Sequence, residues 1–421
     1  MKQIRSIKGT HDILPKDSYK WHQLESIVHD VCARFGYQEI RTPIFEESTL
    51  FSRSVGEESD IVTKEMYSWN DKSNTVLTLR PELTASVVRS YNQHNLGNLA
   101  PIQRFYYIGP LFRRERPQKG RQRQFHQFGV EAFGSKFAEQ EAETIAVAWH
   151  ILSKCGLTEN TNLLLNSIGT SECRSAYREA LKHFLEPHLN DLSETSRKRL
   201  HHNPLRILDT KNEKERSLLK DAPEITDYYS KDDQEHLEEV KDFLSAMDIP
   251  FTINPRLVRG LDYYTKTVFE ITSSELGSQD ALLGGGRYDD LVENLGGKPT
   301  PGIGFAAGME RILLLINEKQ QKANKPLPDV YFICLEKSGL PHALSLSNKL
   351  RMNGFKIISD SLRRSMKAQM RDANKSGAKY VLILGEKELS ENTILFKNLE
   401  NSHQKIIEQK KIIKFFDNLT N

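Results

Sequence analysis

The sequence predicts an α+β protein of two domains: a sheet-based body interrupted by an all-helical insertion, then a C-terminal α/β domain. Three stretches of the 421-residue chain predict it. Residues 102–133 read as two strands joined by a basic loop. From about 171 to 250 the composition turns strongly charged and helical. Beyond 326, short apolar runs alternate with helical periods.

The strand pair is the richest of these. IQRFYYIGPLF is full of aromatic and β-branched residues, and QFHQFGVEAF alternates with period two. Between them Arg113, Arg114, Arg116, Lys119, Arg121 and Arg123 are opposed only by Glu115, while Pro117 and Gly120 argue against a helix. Such a hairpin tip is expected to meet something anionic; a solvated charged loop is the plainer alternative. Gln127, Gly129 and Glu131 share one strand face. A glycine between two polar side chains there reads as a place where a ligand comes close.

Composition sets the outer limits. Hydrophobic residues make up 38% of the chain, enough for a sizeable core. The N-terminal MKQIRSIKGTHDILP has no apolar stretch of the signal-peptide kind, and nothing approaches the roughly 18 uncharged apolar residues of a membrane span. Cys32, Cys155, Cys173 and Cys334 are scattered without a CxxC pair, so they read as buried thiols of a reducing compartment, with neither a zinc site nor a disulfide framework. The expectation is a cytoplasmic protein with no membrane partner and no metal site of its own. Net charge is +3, but residues 327–421 hold 16 Lys and Arg against 10 Asp and Glu, leaving the body slightly acidic. A basic tail fits contact with a polyanion, although modest asymmetry also serves plain solubility.

In chain order, Tyr19 to Phe35 has helical apolar spacing, stopped by Gly36. YQEIRTPIFE follows as a strand that ends at Pro43 or runs along an edge there. TVLTLRPELTASVVRSY reads as strand, turn at Arg80, then a helix with Pro81 at its first position and Glu82 in its first turn. EQEAETIAVAWHILSKCG is an amphipathic helix. After the helical insertion, LVRGLDYYTKTVFEIT resumes strand, with Arg259, Tyr263 and Tyr264 around a turn. ALLGGGRYDDLVENLGG places three glycines between strand and helix, and PGIGFAAGMERILLL runs a glycine-spaced strand into an apolar helix carrying Arg311. GIGFAAG looks superficially like a dinucleotide loop but lacks the βαβ context, and no Walker loop is present. EKQQKANKPLPD reads as a linker. In the tail, Arg363, Lys367, Arg371 and Lys375 recur every four residues, opposite Met366, Met370 and Ala373. That reads as a helix with one cationic and one buried face.

Together these stretches resemble the histidyl-tRNA synthetases, of class II of the aminoacyl-tRNA synthetases. GYQEIRTPIFE is similar to motif 1, FRRERPQKGRQRQFHQFGVEAFG to motif 2 and PGIGFAAGMERILLL to motif 3. LVRGLDYYTKTVFE and ALLGGGRYDDLVENLGG resemble the two stretches peculiar to the histidine enzyme. The resemblance implies a class II catalytic domain over 1–325, an antiparallel sheet flanked by helices with its insertion at about 171–250, and an anticodon-binding α/β domain over 326–421. It also implies a histidine–tRNA ligase that makes histidyl-adenylate from L-histidine and ATP with Mg²⁺, charges tRNA(His), and works as a homodimer. Arg113, Arg259 and Arg311 are the implied catalytic cations, with Arg121 also on ATP. Glu131 and Tyr264 match positions at the imidazole; Glu82, Thr84 and Gln127 match positions at the α-amino group, with Leu83, Arg259 and Tyr263 beside them. Arg116 and Gln118 are candidates for the tRNA acceptor end, and the basic tail face for the anticodon domain's RNA contacts. Leu83 and Gln122 depart from common family choices, glycine and tyrosine. One alternative is a catalytically inactive, synthetase-like regulatory subunit of histidine biosynthesis; such proteins lack the tail and lose catalytic residues. An adenylating ligase with a non-tRNA acceptor is another.

Overall fold

The computed structural model describes residues 3–56, 59–118, 120–277, 280–316 and 326–420. Lys119 of the basic loop and most of the expected linker lie outside them. The chain divides into two compact units, Met1–Ala323 and Asn324–Asn421.

Among the described residues, the first unit is built on an eight-stranded sheet in the order Gln38–Glu39, Gln103–Phe112, Gln124–Phe133, Gly302–Gly308, Ala281–Arg287, Thr265–Ser273, Thr161–Ser167, Thr252–Ile253. The six central strands run antiparallel to one another, and the two-residue edge strands pair in parallel. The hairpin expected at 102–133 is present, with Phe112 opposite Gln124 and Gln103 opposite Phe133. Its alternation decides which face meets which layer. Phe128, Val130 and Ala132 enter a core shared with helices Pro15–Arg34, Ala138–Lys154 and Lys231–Ala246. The opposite face, with Phe105, Tyr107 and Phe133, packs under helix Thr84–Gln93 and the insertion. The α+β class and the helix-flanked antiparallel sheet are therefore as the sequence predicts.

Local signals explain most boundaries. Helix Pro15–Arg34 starts on a proline, and Gly36, at φ 74°, ends it. The motif 1 stretch divides at Pro43: Gln38–Glu39 forms the sheet edge, and Phe45–Glu47 joins a separate three-stranded sheet with Val76–Leu79 and Tyr67–Asn70. Between Thr161–Ser167 and Thr252–Ile253 the chain is helical, and Thr170, Ser193, Asn212 and Ser230 each cap a helix by accepting a backbone N–H. One boundary differs from expectation. The helix after Arg80 begins at Thr84, so Pro81 and Glu82 precede it. The Glu82 carboxylate itself accepts from the Ala85 N–H at 2.8 Å, satisfying a free donor of the first turn from outside the helix.

The second unit has five strands among its described residues, in the order Ile357–Ser359, Val330–Cys334, Tyr380–Leu384, Thr393–Asn398, Gln404–Glu408. The first three are parallel and the last two antiparallel, so the sheet of this α/β domain is mixed. The basic helix spans Met366–Ser376, with Lys367, Arg371 and Lys375 exposed and Gln369 and Ala373 buried. Arg363 is not on it: it sits in the preceding turn at φ 52°. There Arg364 pairs with Asp360 and Asp372, fixing a turn where the four-residue spacing predicted helix. Met366 is exposed as well, leaving the buried face narrower than predicted.

Candidate active site

One end of the hairpin opens into a cavity of about 410 Å³. Its floor comes from the outgoing strand and the Thr84 helix. Glu131 is fully buried, and its Oε1 accepts from the Thr84 hydroxyl at 2.7 Å and the Tyr107 hydroxyl at 3.1 Å. Its Oε2 accepts from the Tyr288 hydroxyl. Burial pushes the Glu131 carboxyl up to about 8, against the pull of these donors. Burial also raises Glu82, which lies on the cavity wall. Among the described residues neither carboxyl has an ion-pair partner. Glu82 feels Arg113 through space without a direct ion pair, so the wall presents a buried acid that can receive a ligand bringing its own N–H donors or positive charge.

Arginines line the wall. Arg113, just past the incoming strand, donates through Nε to the Pro81 carbonyl at 2.9 Å and lies over the Phe125 ring, 5.3 Å from its centroid. Arg121 pairs with Glu115 at 3.1 Å. Arg311 donates to the carbonyls of Gly120 at 3.2 Å and Ala281 at 2.6 Å, which aims it between hairpin tip and sheet. Burial and the neighbouring Arg121 depress its pKa, as expected where cations converge without enough counter-charge. Arg259 is paired with Glu270 and crosses over Gly284; a Cβ at 284 would overlap its guanidinium. That strand needs glycine for the arginine to enter.

Leu83, Thr84, Gln127, Tyr263 and Tyr264 line the same cavity as Glu82 and the four arginines, and so does Gln122. Glu131 lies beneath, behind Tyr288 and Gly304 of the lining. Arg116 and Gln118 are exposed at the hairpin tip, where Gln118 and Arg121 exchange backbone hydrogen bonds of 3.1 and 2.9 Å. Gly129 differs from its sequence reading. What approaches it closely is protein: a Cβ there would overlap the Tyr107 hydroxyl and the Phe305 carbonyl. The glycine thus lets Tyr107 reach Glu131. Sequence reasoning missed Tyr107 and Tyr288, although both lie inside stretches singled out for other reasons. It also missed Arg80, 4% exposed, which donates to the carbonyls of Thr42 at 2.8 Å, Pro43 at 3.1 Å and Pro110 at 2.9 Å. That clasp joins the motif 1 segment, the hairpin and the turn bearing Glu82. Arg287 is buried too, bonded to Glu141 through two 2.5 Å contacts and to Asp289, while His236 lies 2.6 Å from Glu141.

Residues 9–312 match the Histidyl-tRNA synthetase family model, and residues 329–419 match the model described as Anticodon binding domain. The chain belongs to the histidyl-tRNA synthetase family. It is 45% identical to the histidine–tRNA ligase of Caldanaerobacter subterraneus over 398 residues, covering 94% of this chain and 95% of that one. It is 47% identical to the Listeria innocua histidine–tRNA ligase over 416 residues, covering 98% and 97%. Among solved structures, apo histidyl-tRNA synthetase of S. aureus superposes with a TM-score of 0.84 at 38% identity, covering 98% of this chain and all of that one. A Bacillus halodurans protein titled as an ATP phosphoribosyltransferase regulatory subunit/histidyl-tRNA synthetase shares the fold, with a TM-score of 0.68 at 22% identity over 91% of this chain and 99% of that one.

Proposed function

We propose that the protein activates L-histidine with ATP and transfers it to the 3′ end of tRNA(His). The observation that carries this reading is a single cavity whose wall joins the buried acid Glu82 to the arginines Arg113, Arg121, Arg259 and Arg311, with a second buried acid, Glu131, beneath it. A histidine carboxylate oxygen attacks the α-phosphorus of ATP, pyrophosphate leaves, and the terminal ribose hydroxyl of tRNA then attacks the histidyl carbonyl, releasing AMP. No protein nucleophile is needed; catalysis comes from alignment and from cations facing the charge on the phosphates. In this reading Arg113 holds the α-phosphate and substrate carboxylate, Arg259 faces the α-phosphate, and Arg311 with Arg121 holds the γ-phosphate end. Glu131 and Tyr264 select the imidazole; Glu82, Thr84 and Gln127 take the α-amino group; Leu83 and Tyr263 close the wall. Mg²⁺ is proposed as the companion of ATP, where it would shield phosphate charge; the cavity carboxylates Glu115 and Glu310 are already engaged by Arg121 and His126, so the phosphates would supply its main ligands. Arg116 and Gln118 face the acceptor end, and Lys367, Arg371 and Lys375, with Arg363 beside them, contact RNA from the anticodon domain. The anticodon-binding match over 329–419 and the retained arginines speak against the regulatory-subunit alternative.

Purified protein is expected to give histidine-dependent ATP–pyrophosphate exchange and to charge tRNA(His). Exchange with a different amino acid would refute the specificity, and exchange without charging would favour a non-tRNA acceptor. The cytoplasm is the proposed compartment, in keeping with four free cysteines.

A homodimer is proposed from the three-stranded sheet. Register puts Phe45, Tyr67, Trp69, Leu77 and Leu79 on one face, and Phe45 is 51% and Trp69 41% exposed. The other face is anchored by Thr78, buried and bonded to Ser68 at 2.8 Å. An exposed aromatic face of this kind is an association surface. Phe45→Glu is expected to shift the protein from dimer to monomer in sedimentation velocity; an unchanged dimer would place the interface elsewhere.

A further inference from the structure

The turn from Arg259 to Tyr264 bears three of the proposed site residues yet belongs to no helix or strand. Side chains from the helical insertion hold it. Arg206, in the short 3-10 turn Pro204–Ile207, donates to the Gly260 carbonyl at 2.6 Å and to Asp262 Oδ1 at 3.2 Å. Asn203 donates to the same Oδ1 at 2.8 Å. Arg199, on helix Glu194–His202, donates to the Arg206 carbonyl at 3.2 Å and to Asp60 of the cavity wall at 3.3 Å. At the far end of the turn, Arg174 of helix Ser171–Leu185 donates to the Tyr264 carbonyl at 3.2 Å. Gly56, at φ 96°, makes room for Asp262, since a Cβ there would overlap the carboxylate.

Both ends of this turn are therefore fixed by one insertion, and Gly260, whose carbonyl Arg206 grips, directly follows Arg259. We propose that Arg206, with Asn203 and Asp262, forms a positioning device through which the insertion sets Arg259 for adenylate formation. The inference rests on the synthetase reading above. Arg206 also lines the cavity, but its guanidinium is taken up by the Gly260 carbonyl and Asp262, and it acts by restricting where the Arg259 guanidinium and the two tyrosines can lie. A guanidinium is suited to this duty, because its fork serves a carbonyl and a carboxylate at once and lysine has no such geometry. If Arg206 merely fastened the insertion to the body, its loss would lower stability and scale activity alike in every background.

The test is histidine-dependent pyrophosphate exchange by the full-length protein, with thermal melting read alongside. Arg206→Ala is expected to lower kcat roughly ten- to a hundredfold, the size of a misaligned catalytic group. KM for ATP should stay within about twofold, because Arg113, Arg121 and Arg311 are untouched. Arg206→Lys, the milder change if the alanine variant melts early, should recover part of kcat. In an Arg259→Ala background, removing Arg206 should lower kcat no further, since groups acting through one another are not additive. Exchange by Arg206→Ala within twofold of wild type would overturn the inference, and so would an equal fractional loss in both backgrounds. A wild-type protein without histidine-dependent exchange would overturn the synthetase reading and this inference with it.

Discussion

Arg259→His is expected to lower histidine-dependent ATP–pyrophosphate exchange by about a hundred- to a thousandfold, the cost of losing one preorganised charge-stabilising group. Histidine binding, measured by equilibrium calorimetry, should change only a few fold. The guanidinium is charged at any working pH and reaches over Gly284 beside Glu270. An imidazole is shorter and mostly neutral above pH 7, so it would supply neither the reach nor the charge. The floor proposed for the amino acid, made by Glu82, Thr84 and Glu131, lies on other elements and would stay as it is. Unchanged exchange would remove Arg259 from the mechanism, and parallel loss of histidine binding would make it a substrate anchor instead.

Glu131→Gln should have an effect of similar size by a different route. A site built to hydrogen-bond a polar substrate loses roughly two orders of magnitude or more in kcat/KM when that pairing fails. The measurement is exchange kinetics at varied histidine; a loss under about fivefold would refute the role. The substitution also makes a prediction about pH. Glu131 titrates at about 8 in the folded protein, against an ordinary 4.5. Between those values the folded state keeps a proton that the unfolded chain gives up. Stability from this group is therefore fully present below 4.5 and is lost as pH rises toward and through 8. A glutamine cannot ionise, so the wild type should lose stability between about pH 5 and 8.5 relative to the variant, in denaturant midpoints at each pH. A constant difference across that range would contradict the burial that raises the acid.

Much of this was legible because local chemistry decided it. Strand alternation in QFHQFGVEAF set which residues face the site, and Gly36 stopped its helix as read. What was illegible depended on partners distant in sequence. Nothing beside Glu131 announces that Tyr107 and Tyr288 hold it, because cross-sheet register brings them there. The same holds for Arg80, whose acceptors are main-chain carbonyls on two other segments. Arg363 shows the opposite error: a regular four-residue spacing outran the helix, because Arg364 bends the turn around Asp360. Gly129 was recognised as a point of close approach, but sequence does not tell whether a ligand or a tyrosine fills the gap.

The order of strands has a consequence for how the protein comes into being. Glu131 lies against Gly304 across the sheet, and the strands carrying them are separated in the chain by the whole helical insertion. Contacts between such remote segments require long loops to close, and they form late and slowly. A chain growing from the ribosome therefore completes the hairpin early but has nothing to pair the free edge of strand Gln124–Phe133 until the last glycine-spaced strand emerges. Until then the acid and the apolar strand edge beside it stay wet, and the half-built sheet is open to pairing with another nascent copy. Substitutions that slow closure of that seam would reduce the yield of folded protein while leaving the finished enzyme's chemistry intact.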